Sequence, residues 1–506
     1  MACRLACLLF LLTAADCLAA ESDLPKWTEK NFTQPLNHDD PADKRTFEQR
    51  YVIIDAYWDK KDGGPVFFGN GVVAGLPTKE YLDGQLSGLF HPLIKEHKAL
   101  GVLMEHRYSG QSLHPDMSTN FAFSTDDQMI KDAEKLIKFI KSSYKIERSK
   151  WIAMGGSYAG TFAIAIRTKI PDLIYGAIAG SAPVAYETTG GHFYGIAGKV
   201  LKNEAMNWIR DETGLCYTQT RAAFARLDEL LKNYDFETLK KDFNLCPDLK
   251  FKKTEEDRAA LATKINQFIE STMGVSFYDG VPGLNLLSVW CPGVMSSPLG
   301  PYEELKRLAA MLTTAQEGVC GRLTANFEEV LKERRGAYWY KWCTEYGRLD
   351  TCNEAEGCPL SQYASPLSGM VCQKNFGVDV AQMTAASKKY RARYLSETGE
   401  PLASNLILTQ GGSDGYAGLA LTAEIAEQGV FAKTIPLGGH VLAHHKPHPF
   451  DPAVLRETRQ WALDHAKRWV EDIQRQNGAA AIYGGGKLQG LLVTLVAAAA
   501  LVTQRW

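Results

Sequence analysis

The sequence lacks the features that would commit it to nucleic acid, to a metal or to a bilayer. It contains no basic run and no interleaving of arginine with aromatics. Its 56 Lys and Arg stand against 58 Asp and Glu, for a formal net charge of −2. No electrostatic footprint for a phosphate backbone results, and no nucleic-acid partner is expected. The 11 cysteines include no pair at C-x2-C spacing, and the histidines lie elsewhere in the chain, so neither a metal nor another cofactor is expected. No internal repeat or low-complexity linker appears before the C-terminal tail. The apolar stretch of that tail, Gly490 to Val502, is roughly 13 residues long, which is short for crossing a hydrocarbon core of about 30 Å as a helix.

What is present suits a large exported globular protein. With 506 residues, 45% of them apolar and 10% aromatic, the chain can bury a substantial core in a few domain-sized units or one large α/β domain. Residues 1–20 carry Arg4, an apolar run from Leu5 to Ala15 and small residues ending in Ala19-Ala20, the layout of a cleaved secretory signal. Cys3, Cys7 and Cys17 would leave with it. Eight cysteines would remain, all between Cys216 and Cys372, an even number that in an oxidising compartment predicts up to four disulfides. The Asn31-Phe32-Thr33 sequon marks Asn31 for glycosylation on the same route. At the other end, small residues from Asn477, a weakly polar spacer and the short apolar tail follow the order of a glycolipid-anchor signal. A disordered or packed tail and a membrane span are the alternatives.

Apolar runs of strand length at 51–58, 65–71 and 99–107 alternate with helical patterns and lead to Trp151-Ile152-Ala153-Met154. This predicts a parallel sheet flanked by helices. The best-defined helix starts near residue 126, with Met129, Ile130, Ala133, Leu136, Ile137 and Ile140 on one face and a capping box between Thr125 and Gln128. From about 190 to 390 the pattern changes to charged helical segments with cysteine-bearing connections, read as a disulfide-stapled insertion. Strand patterns return at 405–412 and 431–439, and a final helix starts at Asp451-Pro452 and runs to about residue 473. The expected division is signal 1–20, first core part 21–189, helical insertion 190–390, second core part 391–476 and tail 477–506.

The stretch Gly155-Gly156-Ser157-Tyr158-Ala159-Gly160 joins a strand to a helix. A serine nucleophile on such a turn needs small residues two places before and after it, because side chains there would collide. Gly155 and Ala159 satisfy this around Ser157. The backbone N–H of Tyr158, at the helix N-terminus, then points at an oxyanion forming on the attacked carbonyl. The base and its orienting acid follow in the order expected of a hydrolase sheet: Asp414 in the loop after the 405–410 strand, His440 in the loop after the next. His444, His445 and His448 share the His440 loop but sit farther from the strand and its Gly-Gly, and are expected to be surface or supporting groups.

The blocks FTQPLNHDD (32–40), EHRYSGQS (105–112), GGSYAG (155–160), SAPV (181–184), CTEYG (343–347), the aspartate loop and the Gly-Gly-His loop together resemble the prolyl exopeptidases of the S28 serine-peptidase family. The resemblance runs from about 31 to 472. It implies an α/β-hydrolase fold with a helical, disulfide-containing cap inserted before the Asp and His strands. It also implies cleavage next to proline through an acyl-enzyme, in an acidic lysosome-like or extracellular compartment. It adds the backbone amides of Asn70 and Gly71 to the oxyanion site and nominates Tyr416 and Glu345 for substrate binding. Some family positions differ: Gly71 replaces a glutamate, Tyr416 a tryptophan, and Lys341 a glutamine. Because proline has a fixed φ and no N–H, its recognition calls for a compact apolar slot with aromatic walls. Expected partners are therefore peptides with proline near a terminus, a membrane reached through the C-terminal anchor, and a second copy of the chain in a homodimer. Gly71 removes an anion and Lys341 adds a cation, which favours carboxypeptidase action on peptides ending in Pro-Xaa. The alternatives are an Xaa-Pro dipeptidyl peptidase, a nonpeptidase esterase and a catalytically silent binding protein.

Overall fold

A computed structural model describes residues 25–70, 76, 87–186, 197–204, 211–274, 286–317, 326–353, 357–436, 438–449 and 451–484. The signal segment, Gly71 and the apolar tail fall outside them. Eight strands form one sheet in the order β1-β2-β4-β3-β5-β6-β7-β8: β1 Thr28–Pro35, β2 Thr46–Ile54, β3 Val66–Asn70, β4 Leu100–Met104, β5 Trp151–Gly156, β6 Ile174–Gly180, β7 Leu406–Gly411 and β8 Val430–Ile435. β1 pairs antiparallel with β2, and β2 antiparallel with β4. From β4 onward every pairing is parallel. Strands β3, β4 and β7, none of them at an edge, are buried at every residue, as a sheet covered by helices on both faces requires.

Alternation sends neighbouring residues to opposite cores. Phe68, Val102 and Ala153 pack on one face with Met129, Leu136 and Phe162 from α2 (Asp126–Tyr144) and α3 (Tyr158–Lys169). Phe67, Leu103 and Ile152 pack on the other with Phe90 and Ile94 from α1 (Phe90–Glu96) and with Leu455 and Trp469, as period 2 dictates. Thr125 caps α2 by accepting from Gln128 N. The second half of the expected capping box is not made: the Gln128 side chain instead accepts from His38 N and donates to Asp39.

Between β6 and β7 the chain forms a helical cap with α4 (Leu215–Lys232), α5 (Glu255–Gly274), α6 (Leu286–Ser296), α7 (Pro301–Glu317), α8 (Ala337–Lys341), α9 (Leu367–Phe376) and α10 (Val380–Arg391). Phe224, Leu227, Leu261, Ile265, Trp290 and Leu305 give it a core of its own. Disulfides join Cys216 to Cys291, Cys343 to Cys372 and Cys352 to Cys358, and Cys246 is also disulfide-bonded. This is an α/β-hydrolase fold with a disulfide-stapled helical cap. The chain closes with α11 (Ala453–Gly484), which passes the expected end near 473 and carries the first residues of the predicted tail. Among the described residues no helix is long and apolar enough to cross a membrane. Two strands escaped the sequence reading. β1 is an edge strand, on which Asn31 is exposed, and β6 is built of Ala, Gly and Ile with one Tyr, a weak β signal.

Candidate active site

The turn between β5 and α3 holds Ser157 at φ 58° and ψ −131°, a region that non-glycine residues rarely enter and that surrounding structure must enforce. Packing enforces it here. A Cβ at Gly155 would come within 2.5 Å of the Ala159 carbonyl carbon and 2.7 Å of its Cβ, and one at Gly156 within 2.0 Å of Val441 Cγ1. Any side chain at either glycine would push the elbow apart. Ser157 N donates to Gly180 O at 2.8 Å, and Ser157 O accepts from Thr161 N at 3.0 Å, so the serine is clamped between β6 and the first turn of α3. The Tyr158 amide belongs to that turn, where helix amides have no intrahelical acceptor.

The close approach of Gly156 to Val441 brings the elbow against the loop of His440. His440 Nδ1 lies 3.0 Å from Asp414 Oδ2, with the histidine side chain 31% exposed and the aspartate 1%. Asp414 Oδ2 also accepts from Gln410 Nε2 at 2.9 Å, and Oδ1 from Tyr416 N at 2.9 Å. Burial works to raise the Asp414 pKa, yet the imidazole, the Tyr416 amide and the Ser181 hydroxyl hold the carboxyl below its ordinary range. It stays ionised and favours the His440 tautomer with a proton on Nδ1, which leaves the Nε2 lone pair free to accept a hydrogen bond. Among the described residues no hydrogen bond joins Ser157 to His440. Such bonds often tighten only with substrate in place.

Ser181, in the SAPV block, links the loops of His440 and Asp414. Its Oγ accepts from Val441 N at 2.8 Å and also bonds the Asp414 carboxylate, tying the two loops together. Both Ser181 (φ 48°) and Val441 (φ 60°) adopt left-handed backbone, which is costly for a β-branched residue. Residue 411 has to be glycine here, because a Cβ on it would lie 2.4 and 2.2 Å from the carbonyl oxygens of Gly438 and Gly439.

The other histidines of the loop are placed differently. His444 is buried, with its ring 2.5 Å from where a Cβ on Gly180 would lie, and burial with the Arg459 charge takes its pKa down to about 4. Burial and the neighbouring histidines take His445 down to about 3. Asn70 is buried at the end of β3. Its side chain donates to Ala159 O at 3.0 Å and meets His106 Nε2 at 3.2 Å, bracing the helix behind Ser157.

Lys341 and Glu345 belong to a buried cluster between cap and sheet. Lys341, 2% exposed, pairs with Asp126 at the start of α2 and donates to Tyr158 Oη at 2.7 Å. Glu345 accepts from the Asp126 amide and lies 3.9 Å from Lys341 and 3.8 Å from Arg393. Burial and the Asp126 charge push its carboxyl up to about 7. Tyr390 Oη donates to Asp126 Oδ2 at 2.9 Å.

Tyr416 faces the other way, toward a cavity. Its ring centroid is 5.0 Å from that of His440, and it forms one wall of a cavity of about 240 Å³ lined also by Arg334, Tyr338, Trp339, Trp342 and Arg348. The Arg348 guanidinium lies 4.6 Å over the Tyr416 ring and 4.9 Å over Trp342 and pairs with Asp350 at 2.5 Å. An aromatic hollow bearing cations therefore adjoins His440.

The serine carboxypeptidase S28 profile matches residues 34–289 and 301–462. The chain belongs to this family. As an S28 member it is a serine-type peptidase, and its likeness to relatives extends along nearly the whole chain. It is similar to the thymus-specific serine protease of Mus musculus, with 26% identity across 87% of this chain and 87% of the relative. It is likewise similar to the lysosomal Pro-X carboxypeptidase of the same species, with 24% identity across 88% of this chain and 90% of the relative. Both Ser157 and His440 fall inside the matched S28 residues, as does Asp414.

Proposed function

We propose that this protein is an exported serine exopeptidase that cleaves peptides next to proline, acting as a Pro-Xaa carboxypeptidase. In this reading Ser157 Oγ attacks the prolyl carbonyl while His440 Nε2 takes its proton, and Asp414 stabilises the imidazolium. The Tyr158 amide, with those of Asn70 and Gly71, receives the oxyanion. The protonated His440 then releases the leaving amine, and water, activated by the same histidine, hydrolyses the prolyl ester on Ser157. The observation that carries this is the joint placement of a strained elbow serine, packed through Gly156 on Val441, beside the Asp414–His440 pair.

Proline preference rests on the aromatic walls beside His440, with Tyr416 in the position of the family's tryptophan. Export to an oxidising, lysosome-like or extracellular compartment agrees with the disulfides of the cap and with the likeness to a lysosomal relative. Glycosylation at Asn31, on an exposed edge strand, fits the same route. A lipid anchor at the C-terminus and a homodimer belong to the same reading. The deciding experiment incubates matched peptides, amino-acetylated or carboxyl-amidated, with the wild-type enzyme and the Ser157→Ala variant at pH 5 and pH 7, and identifies products by mass. Loss of the C-terminal residue from an amino-acetylated Pro-Xaa peptide, absent with Ser157→Ala, is expected. Release of Xaa-Pro from the amino end alone would replace the carboxypeptidase reading by the dipeptidyl one, and unchanged cleavage by Ser157→Ala would remove the mechanism.

A further inference from the structure

The cap cavity contains a second arginine whose placement the family resemblance does not account for. Arg334, just after the short helix Phe327–Glu333, is 7% exposed and lines the cavity together with Tyr416. Its guanidinium lies 4.5 Å over the ring of Trp339. Among the described residues it has neither a hydrogen-bond nor an ion-pair partner. Buried charges are ordinarily paired, and a single aromatic face compensates only part of what desolvation costs. The Arg348 charge in the same cavity is answered by Asp350. Among the charged residues that line it, the cavity thus holds two cations against one carboxylate, and the surplus positive charge is on Arg334.

We infer that Arg334 is the specificity-determining anchor for the substrate's terminal carboxylate, and that this cavity takes the residue released from a Pro-Xaa end. The inference rests on the exopeptidase reading above and adds the residue that selects the end of the chain. An arginine fork meets a carboxylate with two parallel hydrogen bonds, which fixes direction as well as supplying energy. The cavity volume sets the length. A cavity of about 240 Å³ that also reaches the ring packed on His440 is smaller than the roughly 300–1,000 Å³ of sites for drug-sized ligands, so it suits the end of a chain rather than a long segment. Trp339 and Trp342, whose rings are 5.3 Å apart, give the side chain of that residue an apolar wall. Arg348, over both Trp342 and Tyr416, holds the wall in place.

The test compares acetyl-Ala-Ala-Pro-Phe with its C-terminal amide. With the wild-type enzyme the free acid is expected to be cleaved at least tenfold better in kcat/KM. Arg334→Gln should raise KM for the acid by about 10- to 100-fold, the range for hydrogen bonds to charged groups, with kcat less affected and the poor activity on the amide unchanged. Arg334→Lys should keep part of the preference, since the charge remains and the fork is lost. A purely structural arginine would lower activity on both peptides alike, and that result would overturn the assignment. Equal cleavage of acid and amide by the wild-type enzyme would overturn it without any variant having to fold. That outcome leaves the proline-directed peptidase standing. Failure to cleave any proline peptide while a fluorophosphonate still labels Ser157 would remove the substrate reading and this assignment together.

Discussion

Two buried carboxylate clusters lie at the junction of sheet and cap, and they differ in one respect that decides what each can do. Around Asp414 the partner is His440, whose side chain is 31% exposed, so the charge the aspartate supports can reach a reacting group. Around Asp126 the partner is Lys341, 3% exposed at its side chain and enclosed by Tyr158 and Tyr346, while Tyr390 donates to Asp126 itself. The carboxylate is held ionised in both. The first cluster presents its charge to solvent, whereas the second spends it joining the cap to α2. A perturbed pKa in a buried cluster is therefore no sign of catalysis unless one member faces outward.

The sharpest test of the difference is loss of function on the first side. Ser157→Ala and His440→Ala should each reduce kcat by four or more powers of ten, the usual consequence of removing a triad member, with secretion and melting temperature retained. His444→Ala, His445→Ala and His448→Ala should keep kcat within about tenfold; losses equal to that of His440→Ala would mean the wrong base has been assigned. On the second side the effect should fall on stability instead. Lys341→Met leaves Asp126 buried and unpaired, and removing one partner of such a pair typically costs about 3–5 kcal/mol. Thermal unfolding should show this, while the variant that does fold turns over at nearly the wild-type rate. A variant of wild-type stability would contradict the enclosed geometry.

Smaller effects refine the contrast. Ser181→Ala removes hydrogen bonds to Val441 N and to Asp414, and should lower kcat by about 3- to 10-fold with KM little changed; a change confined to KM would argue against a positioning role. The smallest effect is a slope with pH. The Glu345 carboxyl titrates at about 7 in the fold against an ordinary 4.5, so between those values the folded protein keeps a proton that the unfolded chain has lost. Stability from this group is then present below pH 4.5 and is lost as pH rises toward 7. Glu345→Gln cannot ionise, so its melting temperature relative to wild type should climb from pH 5 to pH 7.5. A difference that stays flat across that range would show that Glu345 does not hold the proton.

Much of this architecture is written in local pattern. The run Val66–Asn70 reads as a buried strand because nearly every residue is apolar, and α2 reads as a helix because its apolar residues repeat on one face. The elbow is legible because only small residues can surround Ser157. β1 and β6 were missed for the converse reason. An exposed edge strand shows little hydrophobic signal, and Ile-Tyr-Gly-Ala-Ile-Ala-Gly lacks the branched and aromatic density that marks a strand. Gln128 likewise satisfied a local rule on paper and was drawn to distant partners in the fold.

Spacing along the chain encodes the hydrolase sheet, the disulfide-bearing insertion and the order of Ser157, Asp414 and His440. Only the tertiary structure decided which charges face outward. Lys341 and Arg334 are seven residues apart in chain numbering, and both are basic residues in the cap. One is neutralised by Asp126, more than two hundred residues earlier, while the other is left over Trp339 in a cavity walled by residues from 263 to 416. Burial and pairing are set by contacts between distant segments, and no local pattern encodes them.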